Sequence, residues 1–85
     1  MKHHASPDFW KCFSALPEHI KELARKNFEL LKENRAHPSL HFKTIGDFVS
    51  VRIGIAYRAL GTNVSDGILW FWIGSHADYD RLIEG

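Results

Sequence analysis

The hydrophobic period of this chain changes once, at Pro38, and that change restricts it to folds in which helices come first and a sheet follows. Before Pro38 the apolar residues recur three and four positions apart: Phe9, Phe13 and Leu16, then Ile20, Leu23, Ala24, Phe28 and Leu31. That spacing puts each set on one face of a helix. Glu18, Lys21, Glu22, Arg25, Lys26, Glu29, Lys32 and Glu33 fill the opposite face of the second helix. After Pro38, β-branched and aromatic residues predominate and alternate, which is the two-residue period of strands.

Local punctuation sets the boundaries. Ser6-Pro7-Asp8 supplies a helix cap, a residue suited to the first helical position and an acid at the positive end of the dipole. Pro17 divides the first helix from the second to make a helical hairpin, which residues 34–38 bring to an end. Strands are predicted at residues 40–45, 48–53, 55–60 and 68–73, with Gly46-Asp47 as a tight turn, Gly54 as a turn or bulge and residues 61–67 as a loop. Residues 77–83 read as a helical tail, and a strand at residues 2–5 would close the sheet edge beside the helices. The expected class is α+β: an N-terminal helical hairpin on one face of a small antiparallel or mixed sheet of three to four strands, with a short C-terminal helical tail and the other face uncovered. Phe13, Leu16, Leu23, Phe28 and Leu31 should pack onto Val49, Val51 and Ile53.

At 85 residues the chain makes one domain, residues 1–85, and 45% hydrophobic content removes it from the disordered class. Cys12 is the lone cysteine, so no internal disulfide forms, and its aromatic neighbourhood suits core packing. No apolar run reaches the ~20 residues of a membrane helix and the N-terminus has no signal-peptide pattern, so a cytoplasmic protein with no membrane association is expected. Net charge is only +1, so nucleic-acid binding would depend on local clustering. His3 and His4 diverge on a strand, and with no second cysteine or HExxH pattern neither a metal nor a cofactor is expected.

Alternation places Arg52 beside Phe48 and Ser50 on the sheet face away from the helices, and Arg58 joins it while Tyr57 turns to the core. Two guanidinium groups on neighbouring strands can clamp a phosphate; the alternative is surface pairing with Asp47, Asp66 or a helix carboxylate. His76 follows the last strand, where an imidazole can move protons near neutral pH or simply cap the tail helix. Trp70 and Trp72 should share one strand face, as core or as a stacking platform for bases.

His37-Pro38-Ser39-Leu40 with Lys43, Gly46-Asp47-Phe48 through Val51-Arg52-Ile53, Tyr57-Arg58, and the tail Ile73-Gly74-Ser75-His76 with Tyr79-Asp80-Arg81-Leu82 follow one another along two helices and a meander of strands. In that order they resemble the RelE/ParE superfamily, the toxins of bacterial type II toxin-antitoxin systems, over nearly the whole chain. It implies a ribosome-dependent mRNA endonuclease with Arg58, His76 and Tyr79 as catalytic residues and Lys43, Arg52 and Arg81 binding RNA phosphates. It also implies a cognate antitoxin lying on the open sheet face or in the hairpin groove, with a homodimer as a further association. Two alternatives stay open: a ParE-like toxin that binds DNA gyrase without catalysis, and a degenerate member that only binds a partner.

Overall fold

The computed structural model describes residues 2–84. In chain order these form β1 (Lys2–Ala5), α1 (Pro7–Ser14), α2 (Glu18–Glu33), a 3-10 turn (Pro38–Leu40), β2 (Lys43–Ile45), β3 (Phe48–Ile53), β4 (Tyr57–Val64), β5 (Gly67–Ser75) and α3 (His76–Glu84). The five strands make one mixed sheet in the order β1-β5-β4-β3-β2. Strands β2 to β5 meander antiparallel, and β1 lies parallel to β5 with His3 opposite Ile68.

The sheet has five strands where the sequence pattern predicts three to four. The expected strand at residues 2–5 forms as β1 and closes the sheet edge, but its partner is β5, more than sixty positions away, a pairing that no local pattern encodes. Strands β4 and β5 also absorb most of the expected 61–67 loop, because Thr62, Asn63 and Val64 pair in register with Leu69, Ile68 and Gly67. Ladder formation outweighs the poor strand propensity of Gly and Asn there. Leu40, expected in a strand, ends the 3-10 turn instead and is fully buried.

Ser6 caps α1 by accepting a 3.2 Å hydrogen bond from the Phe9 N–H, with Pro7 in the first turn. In α2 the buried positions are Ile20, Ala24, Asn27 and Leu31, a stripe spaced four, three and four. Phe28 lies one residue, about 100° of helical rotation, off that stripe. It is therefore 39% exposed rather than in the core, with its ring edge-on to His3 at 5.4 Å and Lys32 over its face. Asn27 takes the inward place, its side-chain amide donating to the Arg52 carbonyl at 2.8 Å. The remaining expected contacts hold: Leu16 and Leu31 join Val49, Val51, Ile53, Ala59, Ile68, Trp70 and Ile73 in one core, with Cys12, Phe13 and Leu23 against it.

Two expectations about the sheet change. Leu60 pairs with Trp72 but Gly61 with Trp70, so Phe71 is an extra residue, a bulge that reverses the alternation. Trp70 consequently enters the core while Trp72 lies on the opposite face with Leu60, and the two indoles do not share a face. Gly61 makes room for this, since a Cβ there would sit 2.8 Å from the Trp70 ring. The second sheet face is not uncovered either. The tail helix α3 folds back across it and buries Tyr79 over Arg58, while Leu82 and Ile83 stand across a hollow from Phe48, Leu60 and Phe71.

Candidate functional site

The face beneath α3 carries most of the charged residues singled out in the sequence. Strand pairing sets Arg52 directly opposite Arg58, and Arg58 opposite Gly74 near the end of β5. Both guanidinium groups thus originate on one face at one end of the sheet. Lys43 pairs with Ser50, so it belongs to the same face and is exposed at the sheet edge.

Arg58 is only 7% exposed. Its Nη1 donates to the Ser50 hydroxyl at 3.0 Å, and its guanidinium lies under the Tyr79 ring, 5.0 Å from the centroid. The neighbourhood is a cation–π stack with one neutral hydrogen bond, and no carboxylate among the described residues pairs with it. The Arg58 Nε and the Tyr79 hydroxyl are both buried without a partner among the described residues. A buried unsatisfied donor costs about 1 to 3 kcal/mol, so this stack carries unspent hydrogen-bonding capacity.

Tyr79 also touches His76, with ring centroids 5.9 Å apart. His76 starts α3, its N–H bonded to the Ala56 carbonyl at 2.7 Å, and its Nδ1 faces the Asp80 carboxylate at 3.1 Å. A carboxylate only accepts, so Nδ1 carries the proton and Nε2 remains free. The helix-capping alternative for His76 is taken by its neighbour: the Ser75 hydroxyl accepts from the Asp78 N–H at 3.2 Å.

Arg52 does not pair with Asp47 or Asp66. Asp66 instead meets His4 at 3.0 Å, and Arg52 donates from Nη1 to Nε2 of His41 at 3.1 Å. Arg81 is held by Asp78 on the solvent side of α3, away from the sheet. The structure therefore gathers Arg58, Tyr79, His76 and Arg52, with Lys43 at the rim, and leaves Arg81 apart. His41 was not singled out from sequence. It is the one non-glycine residue with positive φ (44°) among the described residues. The signal that could have found it is its position directly after the Pro38-Ser39-Leu40 turn, where a left-handed residue often follows.

On the opposite side, α1 lies along β5 and α2 over β3, with a hollow of about 390 Å³ between them. Its rim includes His3, whose Nδ1 accepts from the Trp70 indole at 3.1 Å. Burial holds the His3 pKa below its usual value, and the nearby positive charge of Lys32 adds to this. Among the described residues no three His, Cys, Asp or Glu side chains converge to hold a metal ion. No helix among them is long and apolar enough to cross a membrane.

Two helices on one face of a mixed sheet, with a basic opposite face under a C-terminal helix, make a RelE-like α+β fold. More narrowly, the ParE-like toxin domain model matches residues 18–81, most of the chain, and the protein belongs to that family. Solved structures agree on the fold. A chain of the RelB-RelE antitoxin-toxin complex from Methanococcus jannaschii superposes with a TM-score of 0.71 at 19% identity, covering 92% of this chain and 96% of that one. A copper-bound mutant toxin from Helicobacter pylori gives 0.66 at 16% identity, covering 92% of this chain and 97% of its own. The isolated RelE toxin of E. coli gives 0.63 at 11% identity, with 96% and 94% covered. A comparison with curated proteins finds no match.

Proposed function

We propose that this toxin is a metal-independent endoribonuclease that cleaves mRNA on the ribosome, with the α3-covered sheet face as its active surface. The observation that carries the reading is that one ring, Tyr79, touches both Arg58 and His76. Cleavage requires the 2′-hydroxyl to lose a proton, the phosphorane charge to be held and the 5′-oxygen to gain a proton. In this reading Arg58 holds the developing charge, its unpaired Nε being a donor for which a phosphoryl oxygen is the natural acceptor. His76, oriented by Asp80, carries a proton, while Lys43 and Arg52 guide the backbone phosphates. Because Tyr79 lies over Arg58, the first turn of α3 must lift before Arg58 can reach RNA.

A cognate antitoxin is the proposed partner. Phe48, Leu82 and Ile83 are exposed around a hollow of about 340 Å³ that also reaches Leu60 and Phe71, an apolar surface suited to a helix that folds on binding. A second reading, a gyrase-binding toxin without catalysis, is favoured by the net charge of only +1 and the burial of Arg58. The deciding experiment places purified protein on translating ribosomes and, in parallel, in a gyrase supercoiling assay. Codon-specific mRNA breaks, lowered ~10² to 10³-fold by Arg58→Ala and ~10² to 10⁴-fold by His76→Ala, support the nuclease. Blocked supercoiling with intact mRNA, unchanged in both variants, replaces it with the gyrase reading.

A further inference from the structure

Building on the nuclease reading, we propose that His41 is a further catalytic residue, the general base opposite His76 as the general acid. The reaction needs two proton carriers. The hydroxyl of Tyr79 is buried, in a residue only 2% exposed. Of the residues predicted from sequence, that leaves His76 alone with an imidazole accessible to solvent.

The backbone around His41 is pinned. Leu40 is fully buried, the His41 N–H bonds to the Pro38 carbonyl at 3.3 Å, and the Ser39 N–H is held by Nδ1 of His37. His41 itself stands at φ 44° and ψ 47°, closing the 3-10 turn in the left-handed region that glycine or asparagine normally occupies. Histidine, with asparagine and aspartate, is among the non-glycine residues that tolerate this conformation, and the turn fixes where the ring stands.

The ring lies on Arg52. Arginine only donates, so the 3.1 Å contact from Nη1 requires His41 Nε2 to be without a proton, and the ring is the neutral tautomer protonated at Nδ1. Arg52 faces Arg58 across the β3–β4 pairing, and His76 follows β5 on the far side of β4. His41, just before β2, and His76, just after β5, therefore flank the two strands that carry the arginines, and β2 and β5 stand three interstrand steps, roughly 14 Å, apart. A phosphate taking the Arg52 guanidinium would release Nε2 beside itself, with its lone pair free.

The step balances without a co-reactant. His41 Nε2 takes the 2′-hydroxyl proton as the 2′-oxygen bonds to phosphorus. The bond from phosphorus to the 5′-oxygen breaks, and His76, entering as the imidazolium with its Nδ1–H held by Asp80, delivers the Nε2 proton to that oxygen. The products are a 2′,3′-cyclic phosphate and a 5′-hydroxyl, and both imidazoles return to their starting state by exchange with solvent. The charged and titratable groups around His41 are Arg52 in contact, Lys43 two residues on, and His37 and Arg35 on the turn side. Those around His76 are Asp80, Tyr79 and, beneath Tyr79, Arg58.

The test is single-turnover cleavage on programmed ribosomes as a function of pH, with thermal unfolding measured on the same proteins. The parent should give a bell-shaped profile. His41→Asn, which suits a left-handed backbone, should melt no earlier than the parent yet cleave ~10² to 10⁴-fold more slowly. It should also lose the acid-side limb while His76→Gln loses the alkaline-side limb. If His41→Asn unfolds early, His41→Gly, free of the backbone strain, carries the same comparison. Full cleavage by these variants, or slower cleavage with both limbs intact, overturns the role of His41 while the nuclease reading stands. Absence of cleavage by the parent overturns both.

Discussion

Tyr79 is the side chain on which the second face turns, since it buries Arg58 and yet leaves its own hydroxyl unpaired. Tyr79→Phe keeps the stack and removes the orphan group. It should stabilise the fold by about 1 kcal/mol, a rise of roughly 4 to 8 °C in a domain this small, read by thermal unfolding. A fall in Tm would mean that the hydroxyl has a partner in solution. At the other face, His3 supplies a testable pH dependence. Burial depresses its folded pKa below the unfolded value near 6.5, so its contribution to stability is complete above that pH and is lost as pH falls through the depressed folded value. Protonating Nδ1 would also break the acceptor used by the Trp70 indole. His3→Asn, which keeps an acceptor near Nδ1 but does not titrate, should flatten that part of the stability profile below pH 6.5. An identical acid-side loss in parent and variant would assign the effect elsewhere.

Among the elements, α2 shows how a one-residue offset changes energetics. Leu31 lies on the buried stripe and Phe28 beside it. Leu31→Ala should cost ~2 to 5 kcal/mol, against about 1 kcal/mol for Phe28→Ala, and chemical denaturation of the two variants compares them directly. Equal losses would mean that Phe28 is core after all. The edge strand β1 depends on Gly67, where an added Cβ would fall 1.8 Å from the Lys2 carbonyl oxygen. Gly67→Ala should therefore release β1 from β5 and expose the amides of residues 2–5 to rapid hydrogen exchange, with a stability loss of ~1 to 3 kcal/mol. Retained protection of those amides would refute the close approach. The helical stripes, the Ser6 cap and strand β3 were legible in sequence because each follows from residues a few positions apart. The bulge at Phe71 was not, because a register shift is decided by the facing strand. Strand alternation put both tryptophans on one face, and only the pairing of Gly61 with Trp70 separates them.

For the molecule as a whole, α3 leaves an apolar rim of Phe48, Leu82 and Ile83 exposed at 44%, 54% and 39%. In the absence of a partner that surface should drive reversible self-association, visible as a concentration-dependent sedimentation coefficient that Leu82→Glu abolishes without changing Tm. A parent that stays monomeric at every concentration would show that the rim is too small to associate. The change of period at Pro38, the apolar stripe of α2 and the alternation of β3 determined by themselves that this chain is α+β, with helices on one face and Arg52 and Arg58 on the other. Those are consequences of 3.6- and 2-residue periodicities, which any stretch of chain carries locally. Only the tertiary structure decided that β1 pairs parallel with β5, that α3 closes over Arg58, and that His41 reaches Arg52. Each of these depends on groups that packing brings together: β1 and β5 lie more than sixty residues apart, and His41 meets a strand eleven residues away through a left-handed turn that composition does not announce.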